Sequence, residues 1–280
     1  SLNTTELMRA LRERDITIFC CVPQFFYLIH DRIFTEAKAK GNTTFRIFNT
    51  LLFTNRILRK VGLNPGKKIF KKIHDLLGPK MRYFVTGGSR FDPAIGRDFE
   101  ALGFTILQAY GLTEVTGGSH CTRPNSNVIG SIGPPLPHVE SKIFNPQPPE
   151  DGEGPPVGEI IIRGKTVMKG YYNRPDATAA VIDNDGWFHS GDLGYMDEHG
   201  NFFITGRAKE VIVLSSGKNI YPEEIENYYL KSPWIKEICV VGLEGKPGEP
   251  KGERLHGIVV PNFDVLRQKK IVNTREVIRF

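Results

Sequence analysis

Residues 186–226, GWFHSGDLGYMDEHGNFFITGRAKEVIVLSSGKNIYPEEIE, decide the reading of this 280-residue chain. Two apolar bursts, 201–206 and 210–215, read as short strands because β-branched and aromatic residues crowd between turn formers. Asp197-Glu198-His199-Gly200 turns the chain into the first of them. Between the two lies Gly206-Arg207-Ala208-Lys209-Glu210, a polar stretch that reads as a hinge. After the second comes a loop, Ser215-Ser216-Gly217-Lys218-Asn219, and then Pro222 with Glu223 and Glu224. A proline in the first turn of a helix forfeits no hydrogen bond, and acids there meet the positive end of the helix dipole, so a helix is expected over 222–231. Upstream, Trp187 to Asp192 is expected to set a carboxylate on a glycine-flanked turn. An acid, a guanidinium and two lysines thus fall on loops held by strands.

Working back to the start, 4–14 has the spacing of a capped helix, and 16–22 that of a buried strand ended by Pro23, with helix resuming over 24–35. Residues 44–77 read as a helical pair, 81–85 and 104–109 as strands, and 93–102 as a helix. Strands alternating with helices imply a parallel sheet with ligands at the strand carboxyl ends. Two such ends stand out. Thr86-Gly87-Gly88-Ser89 lets backbone approach a flat or anionic ligand, although a plain turn would look the same. Gln108-Ala109-Tyr110-Gly111-Leu112-Thr113-Glu114 adds an aromatic face, a hydroxyl and a carboxylate, or is simply a polar loop.

From about residue 125 proline and glycine crowd the chain, with short strands at 139–144 and 159–163, which indicates a small, mostly antiparallel β unit. The helix at 222–231 and strands at 237–242 and 255–260 then begin a small α+β lobe. The fold class expected is α/β: a parallel-sheet lobe (1–124), a β-rich unit (125–208), and the start of a small C-terminal domain (209–280).

Composition is that of an ordinary soluble chain, with 40% hydrophobic and 24% charged residues, and no apolar run nears the ~20 residues of a membrane span. Cys20, Cys21, Cys121 and Cys239 have neither metal-ligand spacing nor disulfide density, so a reduced, cytoplasmic setting is expected. The net charge of +6 is uneven. Residues 37–74 hold no Asp or Glu, while ten Lys and Arg fall there among apolar residues at helical spacing. That pattern fits peripheral contact with anionic membrane lipid or a packed hairpin with a solvated basic face. Nucleic acid is disfavoured, because no recognition motif accompanies the charge.

In order and spacing, Trp187-Phe188-His189-Ser190-Gly191-Asp192, Gly206-Arg207-Ala208-Lys209-Glu210 and 217–226 resemble motifs of the adenylate-forming superfamily of acyl-CoA synthetases, luciferases and adenylation domains. The resemblance implies that Gly88, Ser89, Gln108, Ala109 and Tyr110 line the adenine of ATP or AMP, with the Tyr110 ring stacked on it, and that Gly111 belongs to the nucleotide-binding set. It further implies that Thr113 holds phosphate, that Glu114 coordinates Mg²⁺, and that Asp192 takes both ribose hydroxyls. Arg207 would approach ribose and phosphate, Lys218 would join the nucleotide-binding set, and Lys209 would be the hinge of a mobile small domain. Taken alone, Asp192 reads as a turn aspartate and Arg207 as half of a surface ion pair.

The basic insert looks most like that of long-chain fatty acid–CoA ligases, with fatty acid, ATP and CoA as substrates. A fatty acyl–AMP ligase serving a carrier protein, or a non-catalytic nucleotide- or lipid-binding module, is the alternative. Room for an acyl tunnel is expected beside Gly111, Gly117 and Gly118. The family's upstream phosphate loop and its C-terminal lysine have no counterpart here, so the chain is expected to be an internal fragment. Two further patterns carry nothing. Gly164-Lys165-Thr166 ends like a phosphate loop, but Glu159 stands where its first glycine must fall. Ser119-His120 and His189-Ser190 lack a nucleophile-elbow setting.

Overall fold

The computed structural model describes residues 4–148, 153–214, 216, 218–230, 232–244, 253–268 and 271. The chain begins with α1 (Thr4–Glu13), β1 (Ile18–Cys21), α2 (Pro23–Ala39) and α3 (Asn42–Lys60). Two short helices follow, α4 (Gly66–Ile69) and α5 (Lys71–Leu77), then β2 (Tyr83–Thr86), α6 (Pro93–Ala101), β3 (Ile106–Tyr110) and β4 (His120–Cys121). The expected helical pair over 44–77 is therefore one long helix and two short ones. The break comes at Gly62-Leu63-Asn64-Pro65, where Gly62 has φ +79 and the proline disfavours helix at the residue before it.

Strands β1, β2 and β3 pair in parallel and β4 closes that sheet antiparallel, in the order β1-β2-β3-β4. The core behind it is built of aromatic side chains. Phe26 of α2 meets Phe84, Phe91 and Phe99 edge-on at 5.5, 5.4 and 5.4 Å between centroids, and Phe26, Phe84 and Phe99 are essentially inaccessible to water. Edge-to-face contact aligns the positive ring rim with the negative face, adding to the burial of large apolar area. Asp92 caps α6 by accepting from Ala94 N at 2.7 Å, and Asn55 of α3 donates to Ala101 O at 2.8 Å, so both ends of α6 are fixed.

The second half carries β5 (Val139–Gln147), β6 (Val157–Gly164), α7 (Pro175–Ala179), β7 (Phe188–Met196) and β8 (Phe202–Arg207). These four strands form one sheet in the order β5-β6-β7-β8. Then come β9 (Ile212–Val213), β10 (Asn219–Ile220), α8 (Pro222–Tyr229), β11 (Ile235–Glu244), β12 (Glu253–Pro261) and α9 (Phe263–Gln268). Strands β9 and β10 make a small antiparallel hairpin, as do β11 and β12. Helix α8 begins at Pro222, as the sequence requires, and is held to β11 by Glu226, whose carboxylate accepts from Val240 N at 2.7 Å.

By contact, the chain falls into two compact units. The first is Ser1–Ser141, Ile162–Gly186 and Asp197–Phe203; the second is Lys142–Ile161, Trp187–Met196 and Ile204–Phe280. The mixed α/β class with a parallel sheet is as expected, and both tryptophans, Trp187 and Trp234, lie in the second unit. Trp187 lies beneath the Lys142 ammonium, 4.3 Å from its ring centroid.

Candidate nucleotide site

In the first unit the two glycine-bearing strand ends lie side by side. Thr86 is the register partner of Gln108, so the loop after β2 starts next to the end of β3. Gly87 makes that approach possible, because a Cβ there would sit 2.6 Å from Ala109 O. Gly88 follows at φ +86 with open space around it, and Ser89 is exposed. Gly88, Ser89, Ala109 and Tyr110 are thus gathered at one end of the parallel sheet, where an α/β fold places its ligands.

Gln108 belongs to the same strand but faces inward. Its side chain is buried and its amide donates to Ser131 O, while its own N–H donates to Thr122 Oγ1 at 2.8 Å. Tyr110 is half-buried, its carbonyl accepts from Ser119 N at 2.9 Å, and its ring lies 5.8 Å from His120. His120 is buried against Ser119 Oγ at 2.9 Å, and burial pushes its pKa down to about 4, so this serine–histidine pair is neutral at pH 7. It is an internal packing pair, in keeping with its lack of an elbow motif.

After β3 the chain makes a single 3₁₀ turn, Thr113–Val115, anchored by buried Val115. This sets Thr113 outward and leaves Glu114 half-buried. One Glu114 carboxylate oxygen accepts from Tyr171 Oη at 2.9 Å, and its carbonyl accepts from Met168 N at 2.7 Å. The bond from the tyrosine hydroxyl to the Glu114 carboxylate raises the Tyr171 pKa. Gly111 does not leave room for a tunnel. A Cβ there would come within 2.5 Å of Gly117 O and 2.6 Å of Gly118 Cα, so this glycine permits two backbone segments to touch. Among the described residues no cluster of three His, Cys, Asp or Glu could hold a metal. A lone carboxylate such as Glu114 still fits Mg²⁺, which takes most of its ligands from phosphates and water.

The second unit holds the remaining candidates. Asp192 lies within β7 and not on a turn; Gly191, at φ +73, kinks the strand just before it. Its carboxylate is 6% exposed and meets the half-exposed Arg207 at 3.0 Å between Oδ1 and Nε, so the acid and guanidinium singled out from the sequence are brought together. Lys209 is exposed in a 3₁₀ turn, Ala208–Glu210, that joins β8 to β9. Lys218 is exposed at the tip of the β9–β10 hairpin, where its carbonyl accepts from Leu214 N at 3.0 Å. It lines a cleft of about 660 Å³ with Phe144, Glu159, Leu193, Asn219 and Tyr221.

Glu159 is the residue that sequence reading missed. From β6 its carboxylate accepts from Gly191 N at 2.8 Å and pairs with His189 Nδ1 at 2.7 Å. Ser190 Oγ donates to Ile160 O at 2.6 Å and accepts from Asp192 N at 3.0 Å. The kink that aims Asp192 is therefore held from the neighbouring strand, chiefly by Glu159. Glu159→Gln keeps the shape but removes the charge, weakening the bond from Gly191 N, and leaves the His189 contact only to the tautomer whose Nδ1 accepts. Loss of such a charge-assisted bond is worth roughly 1.5–3 kcal/mol, so nucleotide affinity is expected to fall about tenfold with the fold retained. Calorimetric titration with AMP, together with thermal melting, checks this.

The parallel sheet with glycine-bearing loops at its strand ends is that of an α/β protein. A model of the AMP-binding enzyme family matches residues 1–172, and the chain belongs to that family. The fatty acyl-CoA synthetase A of Dictyostelium discoideum is 29% identical over 272 residues, 94% of this chain and 40% of that protein. A chloroplastic long-chain-fatty-acid–acyl-carrier-protein ligase of Arabidopsis thaliana is 34% identical over 247 residues, 84% of this chain and 32% of its own length. Among solved structures, the O-succinylbenzoate coenzyme A synthetase of Bacillus subtilis in complex with AMP superposes with a TM-score of 0.67 at 25% identity, covering 99% of this chain and 46% of that one. The chain thus spans 32 to 46% of the length of these proteins.

Proposed function

We propose that this chain is part of an ATP-dependent, AMP-forming long-chain fatty acid–CoA ligase. The observation that carries the reading is the buried Asp192 carboxylate fixed against Arg207. One carboxylate can accept both hydroxyls of a ribose, and a guanidinium keeps its charge beside a phosphate at any physiological pH. Membership of the AMP-binding family and likeness to fatty acyl-CoA synthetases support it further.

In the first half-reaction a fatty acid carboxylate oxygen attacks the α-phosphorus of ATP, forming the mixed anhydride and releasing pyrophosphate. In the second, the CoA thiol attacks the acyl carbon, AMP leaves, and the thiol proton is lost. Gly88, Ser89, Ala109, Tyr110 and Gly111 would border the adenine, with Gln108 setting their strand, and Thr113 would donate to phosphate. Mg²⁺, held by Glu114, would neutralise charge on the phosphates. Residues 1–208 would belong to the large domain and 209–280 to a small domain that turns about Lys209, with Lys218 approaching the nucleotide.

Likeness to an acyl-carrier-protein ligase favours one second reading, in which a carrier-protein thiol is the acceptor. The full-length protein, given ATP, Mg²⁺ and palmitate, is expected to release palmitoyl-CoA with CoA alone. Product formed only with a carrier protein selects the second reading. Nucleotide binding without pyrophosphate exchange would reject both in favour of a binding module.

A further inference from the structure

Helix α3 packs chiefly on α2, α4 and α6, in the helical layer of its unit. Its inner side is committed: Leu52 and Asn55 are buried, Arg56 pairs with Asp98 at 2.8 Å, and Arg59 with Glu100 at 3.6 Å. At helical spacing the opposite face carries Ile47, Phe53 and Ile57, exposed by 57, 61 and 49%. Val61 and Leu63 continue the line just past the helix, at 69 and 58%.

A surface helix ordinarily turns charged and polar groups to water. Here the hydroxyls on that side are spent on their own helix, Thr50 Oγ1 donating to Arg46 O at 3.0 Å and Thr54 Oγ1 to Thr50 O at 2.9 Å. Near this apolar line the charge is mainly positive: residues 37–74 contain no acid, and the carboxylates that reach α3, Asp98 and Glu100, are taken up by Arg56 and Arg59. Lys40, Arg46, Lys60, Lys67, Lys68 and Lys72 have no carboxylate partner among the described residues. Beside the start of α3 a cleft of about 750 Å³ also joins apolar and basic residues, Met8, Ile33 and Phe48 with Arg12, Lys40 and Lys72, and the acid on its wall, Glu36, is paired with Arg32.

We propose that α3 and the turn after it lie on the surface of an anionic phospholipid bilayer, with Phe53 and Ile57 in the acyl boundary and the unpaired cations against headgroup phosphates. Nucleic acid or an acidic peptide would meet the cations but offer nothing to a row of large apolar side chains. A lipid interface meets both. Among the described residues no helix is long and apolar enough to cross a membrane, so the contact lies in the interface plane. The inference does not depend on the ligase reading.

The test is co-sedimentation of the full-length protein with phosphatidylcholine vesicles, with and without phosphatidylserine. Binding is expected only with phosphatidylserine and should weaken steeply with salt. The Phe53→Ser/Ile57→Ser variant is expected to bind at least about tenfold more weakly, since both side chains would lose their apolar surroundings. An Arg46→Gln/Lys60→Gln variant should bind less and lose part of the salt dependence, and an unchanged thermal midpoint in either variant certifies its fold. No binding to anionic vesicles, or equal binding by all variants, would overturn the proposal. So would a Phe53→Cys thiol that an aqueous maleimide cannot reach without vesicles, or a wild-type dimer that dissociates in the serine variant. Each of those would mean that protein, not lipid, covers this face.

Discussion

Asp192→Ala is expected to weaken AMP binding by about 100-fold or more. The carboxylate is 6% exposed, follows a kink in its strand, and is steadied by Arg207 at 3.0 Å, so its position is well defined. Hydrogen bonds to a charged group contribute roughly 1.5–3 kcal/mol each, and two ribose hydroxyls lost together amount to about 100-fold or more in affinity. The fold should survive, because Arg207 is half exposed and water replaces its lost partner. Calorimetric titration of wild type and variant with AMP checks this directly. Equal affinities would remove the ribose role from Asp192, whereas weakening confined to the variant would assign it.

The second large effect belongs to Lys209. Its side chain is exposed, so it contributes little to packing; the importance of the position lies in its backbone, within the short turn that joins β8 to β9. A proline fixes φ near −65°, a value that a 3₁₀ turn already uses, and removes the freedom to leave it. In the full-length protein Lys209→Pro should therefore retain adenylate formation, read as pyrophosphate exchange, and lose thioester formation by about 100-fold, the scale of a misplaced reacting group. Lys209→Ala keeps the backbone free and should keep both. Equal loss of the two half-reactions in the proline variant would sink the hinge assignment.

The sequence made the alternation of strands and helices legible because each element carries its own punctuation: Pro23 after β1, Pro93 opening α6, and Pro222 opening α8. The pairing of Asp192 with Arg207 was less open to reading, since each alone looks like an ordinary surface residue. Their place in a series of motifs singled them out. Glu159 stayed hidden for a different reason. Its two contacts lie 30 and 32 residues away, across neighbouring strands, and no local pattern announces a carboxylate that stitches one strand to the next. Gly111 was misread because a sequence shows a missing side chain but not what occupies its place. Here that is the backbone of Gly117 and Gly118. Asp192 was placed on a turn because glycine before an acid usually marks one, whereas here Gly191 bends a strand that continues to Met196.

The distribution of tryptophan gives the chain a built-in optical label. Trp187 and Trp234 both belong to the second unit, while the aromatic core of the first is made of phenylalanine. Light absorbed at the red edge of the protein spectrum is therefore taken up by one unit alone. Emission excited there follows the melting of the unit that carries Asp192, and far-ultraviolet dichroism follows the backbone of both. Two superimposable denaturation curves would make the units a single cooperative block, and two separated ones would give each its own stability without cutting the chain.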